Sequence, residues 1–342
     1  MIGIDIDATV TRGGFTLATS LRVMEGERVG VIGANGSGKT TLLSALAGHI
    51  PITSGYLRVH GTTVDNGHGR PKTWVPPHRR GLGWLGPSAR VFPHMTVRAN
   101  VAYGLKASRF DEVDERTSTV LADFHLNDIA DHMASRLSTG QQCRTALARA
   151  FAVEPRVLVM DEPFSGLDVR AACEIRSLVD PIIDRGGTTL IMASHDLVDL
   201  VSLVSRVVLL DHGTILDDGD LDRVLGRPRS EFVSDLAGTT VLDGVVTDDG
   251  IETPLGLIDT DQSGYRRGTK VRVAIPQDGV HLQHCDDSPT TVTEVSMSVS
   301  GLVVLVEGRY RLHCPVTDLT SMVKPGERIA VSIDQSRVSV FN

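Results

Sequence analysis

The sequence predicts an α/β domain with a buried, mostly parallel sheet, followed by a smaller all-β domain. Three observations carry that prediction. The loop Gly33-Ala34-Asn35-Gly36-Ser37-Gly38-Lys39-Thr40-Thr41 follows the apolar run Arg28-Val29-Gly30-Val31-Ile32 and precedes Leu42-Leu43-Ser44-Ala45-Leu46-Ala47, which has helix composition. Two more apolar runs, Arg156 to Met160 and Thr188 to Ser194, are continuous rather than alternating, as in strands covered on both faces. From about Leu236 the pattern changes to short β-type runs between Gly, Asp and Pro turns. The expected division is therefore 1–236 and 237–342, with a helical subdomain inserted over about 88–150.

Strand, glycine loop and helix form the setting in which G-x-x-x-x-G-K-[ST] means a phosphate cradle. Glycines let successive backbone N–H groups turn inward, a lysine reaches the β and γ phosphates, and a hydroxyl ligates Mg²⁺. The helix start adds its dipole to the same anion site. The expected nucleotide-holding residues are Gly33, Asn35, Gly36, Ser37, Gly38, Lys39, Thr40 and Thr41, with Thr40 also on the metal. Upstream of the loop, Phe15 is the one aromatic near enough to stack on an adenine ring; filling a half-buried strand position is equally open to it.

At 342 residues the chain has room for two domains, each with its own core. A net charge of -8 leaves no basic surplus to neutralise phosphates, which argues against a general nucleic-acid binder. No apolar run reaches bilayer length, and Met1 is not followed by a basic stretch and an apolar stretch. The expectation is a soluble chain that stays where it is made, with docking on a membrane protein left open. Cys143, Cys173, Cys285 and Cys314 are widely spaced without a C-x-x-C pair, as for free thiols in a cytosolic protein.

Along the chain, Ile2 to Ile6, Phe15 to Leu17 and Leu21 to Val23 read as short β runs, and Gly55 to Val59 and Leu82 to Leu85 as further strands. Phe92 to Val101 leads into a charge-rich helical region up to about Met133. Leu137-Ser138-Thr139-Gly140-Gln141-Gln142 opens an Ala-rich helix that Pro155 ends. The strand at Arg156 to Met160 then delivers Asp161 and Glu162 at its carboxyl end, where ligands of parallel sheets collect. Asp161 suits a magnesium ligand, and Glu162 suits the base that orients or deprotonates the attacking water. Ser165-Gly166-Leu167-Asp168 follows, then a helix to about Ile183. The next strand presents His195, placed to touch a γ-phosphate.

In this order the pieces resemble the ATP-binding cassette family, the nucleotide-binding subunits of ABC transporters, over residues 1 to about 236. LSTGQ at 137–141 is similar to the family signature LSGGQ, and SGLD at 165–168 matches a further motif. The resemblance implies an ATP hydrolase that uses Mg²⁺ and pairs head to tail as a homodimer. Ser138, Gly140 and Gln141 of one copy would then close on the ATP held by the other, with Asp168 communicating across the interface. It also implies a transmembrane permease partner and, indirectly, a solute-binding protein, with the subunit peripheral on the cytoplasmic face of the membrane. Two departures stand out. Thr139 occupies the first of the two usual signature glycines, and Pro87 occupies the position of a usual glutamine, where it offers neither an amide oxygen nor a donor.

The last hundred residues resemble the small OB-like, TOBE-type tail of importer cassettes, through Val271 to Leu282. Within that group, the ARVFPH run at 89–94 and PRSEF at 228–232 look most like the ATP-binding subunit of molybdate importers. The alternatives are a cassette importing sulfate, iron, sugar or polyamine, and a nucleotide-gated regulator of weak turnover, which Pro87 would favour. Cassettes of repair or translation usually bring tandem domains, coiled coils or basic stretches, and none is present here.

Overall fold

The computed structural model describes residues 1–68, 72–87, 91–108, 110–260, 264–285, 287–288, 290–297, 302–315 and 323–341. By internal packing the chain forms two units, Met1–Gly219 and Asp220–Asn342. That division precedes the change to all-β pattern read from the sequence, because two short helices at 221–237 pack with the second unit.

The first unit opens with β1 (Ile2–Arg12) and β2 (Phe15–Met24), a single long hairpin rather than the separate short runs expected. In β2 buried and exposed residues alternate strictly, as for a sheet with one face on the core. Next come β3 (Arg28–Ile32), α1 (Lys39–Ala47), β4 (Ser54–Val59), β5 (Thr62–Asp65) and β6 (Leu82–Leu85). Three helices follow, α2 (Val97–Ala107), α3 (Val113–Asp123) and α4 (Thr139–Ala152), and then β7 (Val157–Asp161), α5 (Val169–Gly186), β8 (Thr189–Ala193), α6 (Leu197–Leu203), β9 (Arg206–Asp211) and β10 (Thr214–Asp220).

The order β2-β1-β4-β5 makes one sheet, and β10-β9-β3-β8-β7-β6 makes the other. In the second, β3 pairs in parallel with β8 and β9, and β7 with β6 and β8. Every residue of β7 and β8 is buried, which explains their unbroken apolar character. Helix α1 packs on this sheet through Leu42, Leu43 and Leu46, all fully buried in one core with Ile4, Ile6 and Leu57 of the antiparallel sheet. Each such leucine contributes about 1.5–3 kcal/mol by burial. The far end of α1 is closed by Arg80, which is 4% exposed and donates to the carbonyls of Ala45, Leu46 and Val75 while facing Asp65. Among the described residues, no helix is long and apolar enough to cross a membrane.

The second unit contains α7 (Leu221–Gly226) and α8 (Glu231–Ala237), then strands β11 (Thr239–Val246), β12 (Ile251–Thr253), β13 (Gly256–Ile258), β14 (Lys270–Pro276), β15 (Val280–His284), β16 (Val292–Met297), β17 (Leu302–Val306), β18 (Tyr310–Cys314), β19 (Ile329–Ile333) and β20 (Ser339–Phe341). They form sheets β13-β12-β11-β14-β20, β15-β19 and β16-β17-β18 around one apolar core, the OB-like domain expected. Glu307 and Gly308, both at positive φ, turn the β17–β18 hairpin where the sequence places a turn.

Candidate functional site

Parallel pairing puts the carboxyl ends of β3, β6, β7 and β8 on one sheet edge, and the chemistry-bearing residues follow those ends. The loop after β3 depends on glycine. Gly33 has φ 147°, and a Cβ there would lie 2.2 Å from the Leu210 carbonyl oxygen. Gly38 caps α1 at φ 112°, and a Cβ there would meet the Phe15 ring at 2.9 Å. The loop, Phe15 and the strand ends enclose a cavity of about 450 Å³ lined by Asn35, Gly36, Gly38, Lys39, Thr40, Thr41, Asp161 and Glu162. Arg12 also lines it, a residue the sequence reading missed; its signal is its place at the end of β1, paired with Phe15.

Lys39 is 8% exposed and donates from Nζ to the carbonyl oxygens of Gly33, at 2.6 Å, and Ala34, at 3.2 Å. Burial pushes its ammonium below the ordinary lysine value, against the pull of Glu162 and Asp161. The ammonium is thus held by its own loop, beside where phosphate oxygens would take over those bonds. Ser37 is buried in the same loop, and its hydroxyl has no hydrogen-bond partner among the described residues.

Asp161 ends β7 at 1% exposure, and among the described residues neither carboxylate oxygen has a hydrogen-bond partner. Burial pushes its pKa up; the adjacent Thr40 hydroxyl opposes that shift without a well-formed bond. A bare buried carboxylate next to a threonine hydroxyl fits a hydrated divalent cation, since magnesium takes only one or two protein ligands besides water and phosphate. No cluster of three or more His, Cys, Asp or Glu ligands occurs among the described residues, consistent with such an open site.

Glu162 adopts φ 50°, left-handed backbone that a non-glycine residue seldom takes. Its N–H donates to the Ala193 carbonyl at 3.0 Å, and its Oε2 lies 2.7 Å from His195 Nδ1. A partly exposed carboxylate oriented by an imidazole at the cavity mouth can take a proton from water. Behind His195 lies a buried network that sequence reasoning also missed. Arg176 Nε donates to Asp199 at 2.6 Å, the Ser194 hydroxyl donates to the other Asp199 oxygen at 2.7 Å, and the Asp196 N–H donates to Ser194 Oγ at 3.0 Å. Arg176 also stacks over the Phe164 ring, joining the loops that carry His195 and Glu162.

The remaining expected residues do not line this cavity. Ser138 and Gln141 cap the start of α4 with a reciprocal pair of bonds, Ser138 being exposed. Asp168 caps α5 by accepting from the Ala171 N–H at 2.8 Å. Gly140 sits against Ala171, so the two helix starts adjoin. Thr139, first in α4, is exposed. Pro87 follows β6 at the sheet edge, also exposed and outside the cavity lining; Ser88 lies outside the described residues.

Comparison with known proteins agrees with this architecture. A family profile described as ABC transporter matches residues 17–165. The chain is 32% identical to the molybdenum import ATP-binding protein ModC of Mycobacterium tuberculosis, with 95% of this chain and 94% of that one covered. It is also 32% identical to the Fe(3+) ions import ATP-binding protein FbpC of Streptomyces avermitilis, with 98% and 96% covered. In fold it is similar to a dimeric post-hydrolysis ATP-binding cassette bound to ADP and Pi, with TM-score 0.55 and 24% identity over 65% of this chain and 99% of that one. The chain therefore belongs to the ATP-binding subunits of the ABC transporters, and is an ATP hydrolase of that family.

Proposed function

We propose that the chain powers an importer of molybdate or a related oxyanion. It works as a homodimer against a transmembrane permease on the cytoplasmic face of the membrane, with a solute-binding protein delivering the cargo. Lys39 and the loop amides of Gly33 to Thr41 hold the β and γ phosphates, and Phe15 stacks on the adenine. Thr40 and Asp161 hold Mg²⁺, which supplies charge neutralisation at the phosphates. Glu162 draws the proton from the attacking water, and His195 orients Glu162 and touches the γ-phosphate. Ser138, Gly140 and Gln141 of the second copy close over the nucleotide, with Asp168 linking the two copies. Their position outside the cavity supports that assignment, since residues serving a partner's nucleotide need to face outward.

The observation that carries the hydrolytic reading is the gathering of Lys39, Asp161 and the Glu162–His195 pair at one strand edge. The molybdate reading rests on likeness to ModC across both units. Equal identity to FbpC over nearly the whole chain favours ferric iron as the second reading. The test is uptake of labelled molybdate, sulfate and iron by cells lacking this chain. Loss of molybdate uptake, restored by the parent but not by Lys39→Ala, is expected; intact molybdate uptake with lost iron uptake overturns the first reading.

A further inference from the structure

The second unit contains a cavity of its own, about 550 Å³. One wall comes from a simple alternation in Arg309-Tyr310-Arg311-Leu312-His313-Cys314. Successive strand residues point to opposite faces. Leu312 and Cys314 enter the apolar core, and Arg309, Arg311 and His313 line the cavity. Arg272 of β14 adds another cation, 3.8 Å from the Asp243 carboxylate of β11, and Glu231 supplies a second carboxylate.

Part of this wall is fixed. Arg311 Nη2 donates to both oxygens of Asp235, at 2.8 and 2.9 Å, and His313 Nε2 lies 3.4 Å from the same carboxylate. The His313 N–H donates to the Thr240 hydroxyl. Arg311 Nε and His313 Nδ1 are buried with no hydrogen-bond partner among the described residues, and His313 is 2% exposed. Native proteins rarely leave such groups bare unless something else satisfies them. Arg309 is exposed and makes no ion pair among the described residues.

We propose that this cavity binds a phosphorylated sugar or polyol, its phosphate against the Arg309–Arg311–His313 wall and Arg272, its hydroxyls donating to Glu231 and Asp243. The volume falls within the range of about 300–1,000 Å³ typical of metabolite-sized sites, well beyond a lone tetrahedral oxyanion. The carboxylates decide the class of ligand: a lone oxyanion offers them at most one hydrogen-bond donor, whereas the hydroxyls of a sugar or polyol can donate to both. Every lining residue belongs to the second unit, so this ligand site is separate from the nucleotide cavity.

The experiment is calorimetric titration of nucleotide-free, full-length protein with glucose phosphate, ribose phosphate and glycerol phosphate, against inorganic phosphate, molybdate and glucose. At least one sugar or polyol phosphate binds saturably, about tenfold or more tighter than inorganic phosphate or molybdate. Arg309→Ala and Arg272→Ala each weaken that binding by about tenfold, the usual cost of one charge-assisted bond. Lys39→Ala leaves it unchanged. The proposal is overturned if none of the three binds, if a lone oxyanion binds as tightly, if both arginine variants bind like the parent, or if Lys39→Ala abolishes binding.

Discussion

Glu162 Oε2 and His195 Nδ1 lie 2.7 Å apart, a bond between the ends of the paired strands β7 and β8. Because both strands are held in register by the ladder, the direction of the carboxylate is fixed by the fold. Glu162→Gln keeps the hydrogen-bonding shape and removes the proton acceptor. Turnover should fall by about 10²–10⁴-fold with ATP binding retained. Phosphate release measures the first; size-exclusion in ATP, expected to show a trapped dimer, measures the second.

Asp161 is costly to the nucleotide-free protein. Its folded pKa is raised by burial, so the native state holds that proton more tightly than the unfolded chain. Stability therefore declines as pH rises from the ordinary aspartate value through the raised one, and the penalty is complete above it. Asp161→Asn should raise the melting temperature of the nucleotide-free protein at neutral pH, with the gain shrinking toward acid, while abolishing magnesium-dependent turnover. Thermal melts from neutral pH down to about pH 4, the ordinary aspartate value, decide it.

The Arg176–Asp199 pair is nearly sealed, with side-chain exposures of 9% and 5%. Removing one member strands a buried charge. Asp199→Ala should cost about 3–5 kcal/mol in denaturant melts, and the paired change of Arg176 to Met with Asp199 to Leu clearly less. A single variant that melts like the parent contradicts this account.

Pro87 follows β6 at the position where the family resemblance places a glutamine. Pro87→Gln should increase the magnesium-dependent ATPase rate of the assembled transporter severalfold, read in a matched assay against the parent; an unchanged rate removes proline as a brake on turnover.

Much of this was legible before any fold was known. The β3 loop, β7 and β8 announce themselves because buried strands need unbroken apolar runs and because their ends carry residues with distinctive chemistry. Strand β9 has four buried apolar residues between Arg206 and Asp211 but carries no recognised motif, and a reading led by motifs passes over it. The capping of α4 is visible in the S-x-x-Q spacing at 138–141. What stays hidden is contact between distant residues. Arg80 meets Ala45 across 35 positions and Arg176 meets Asp199 across 23, and nothing local marks either arginine as buried. The cationic face of β18 follows from strand alternation, but the acids of Glu231 and Asp243 opposite it depend on how α8 and β11 pack.

The neighbouring parallel strands also govern what this architecture can tolerate over evolutionary time. Spacing between the triphosphate-handling loops is set by the strand pitch of about 4.8 Å, not by the length of polypeptide that separates them in sequence. Helices α2 and α3, between β6 and β7, lie outside the cavity lining and can be lengthened, shortened or redecorated with the strand ends unmoved, whereas the capped start of α4, with Ser138 and Gln141, cannot. Variation and preservation of the engine are thus assigned to different parts of one chain.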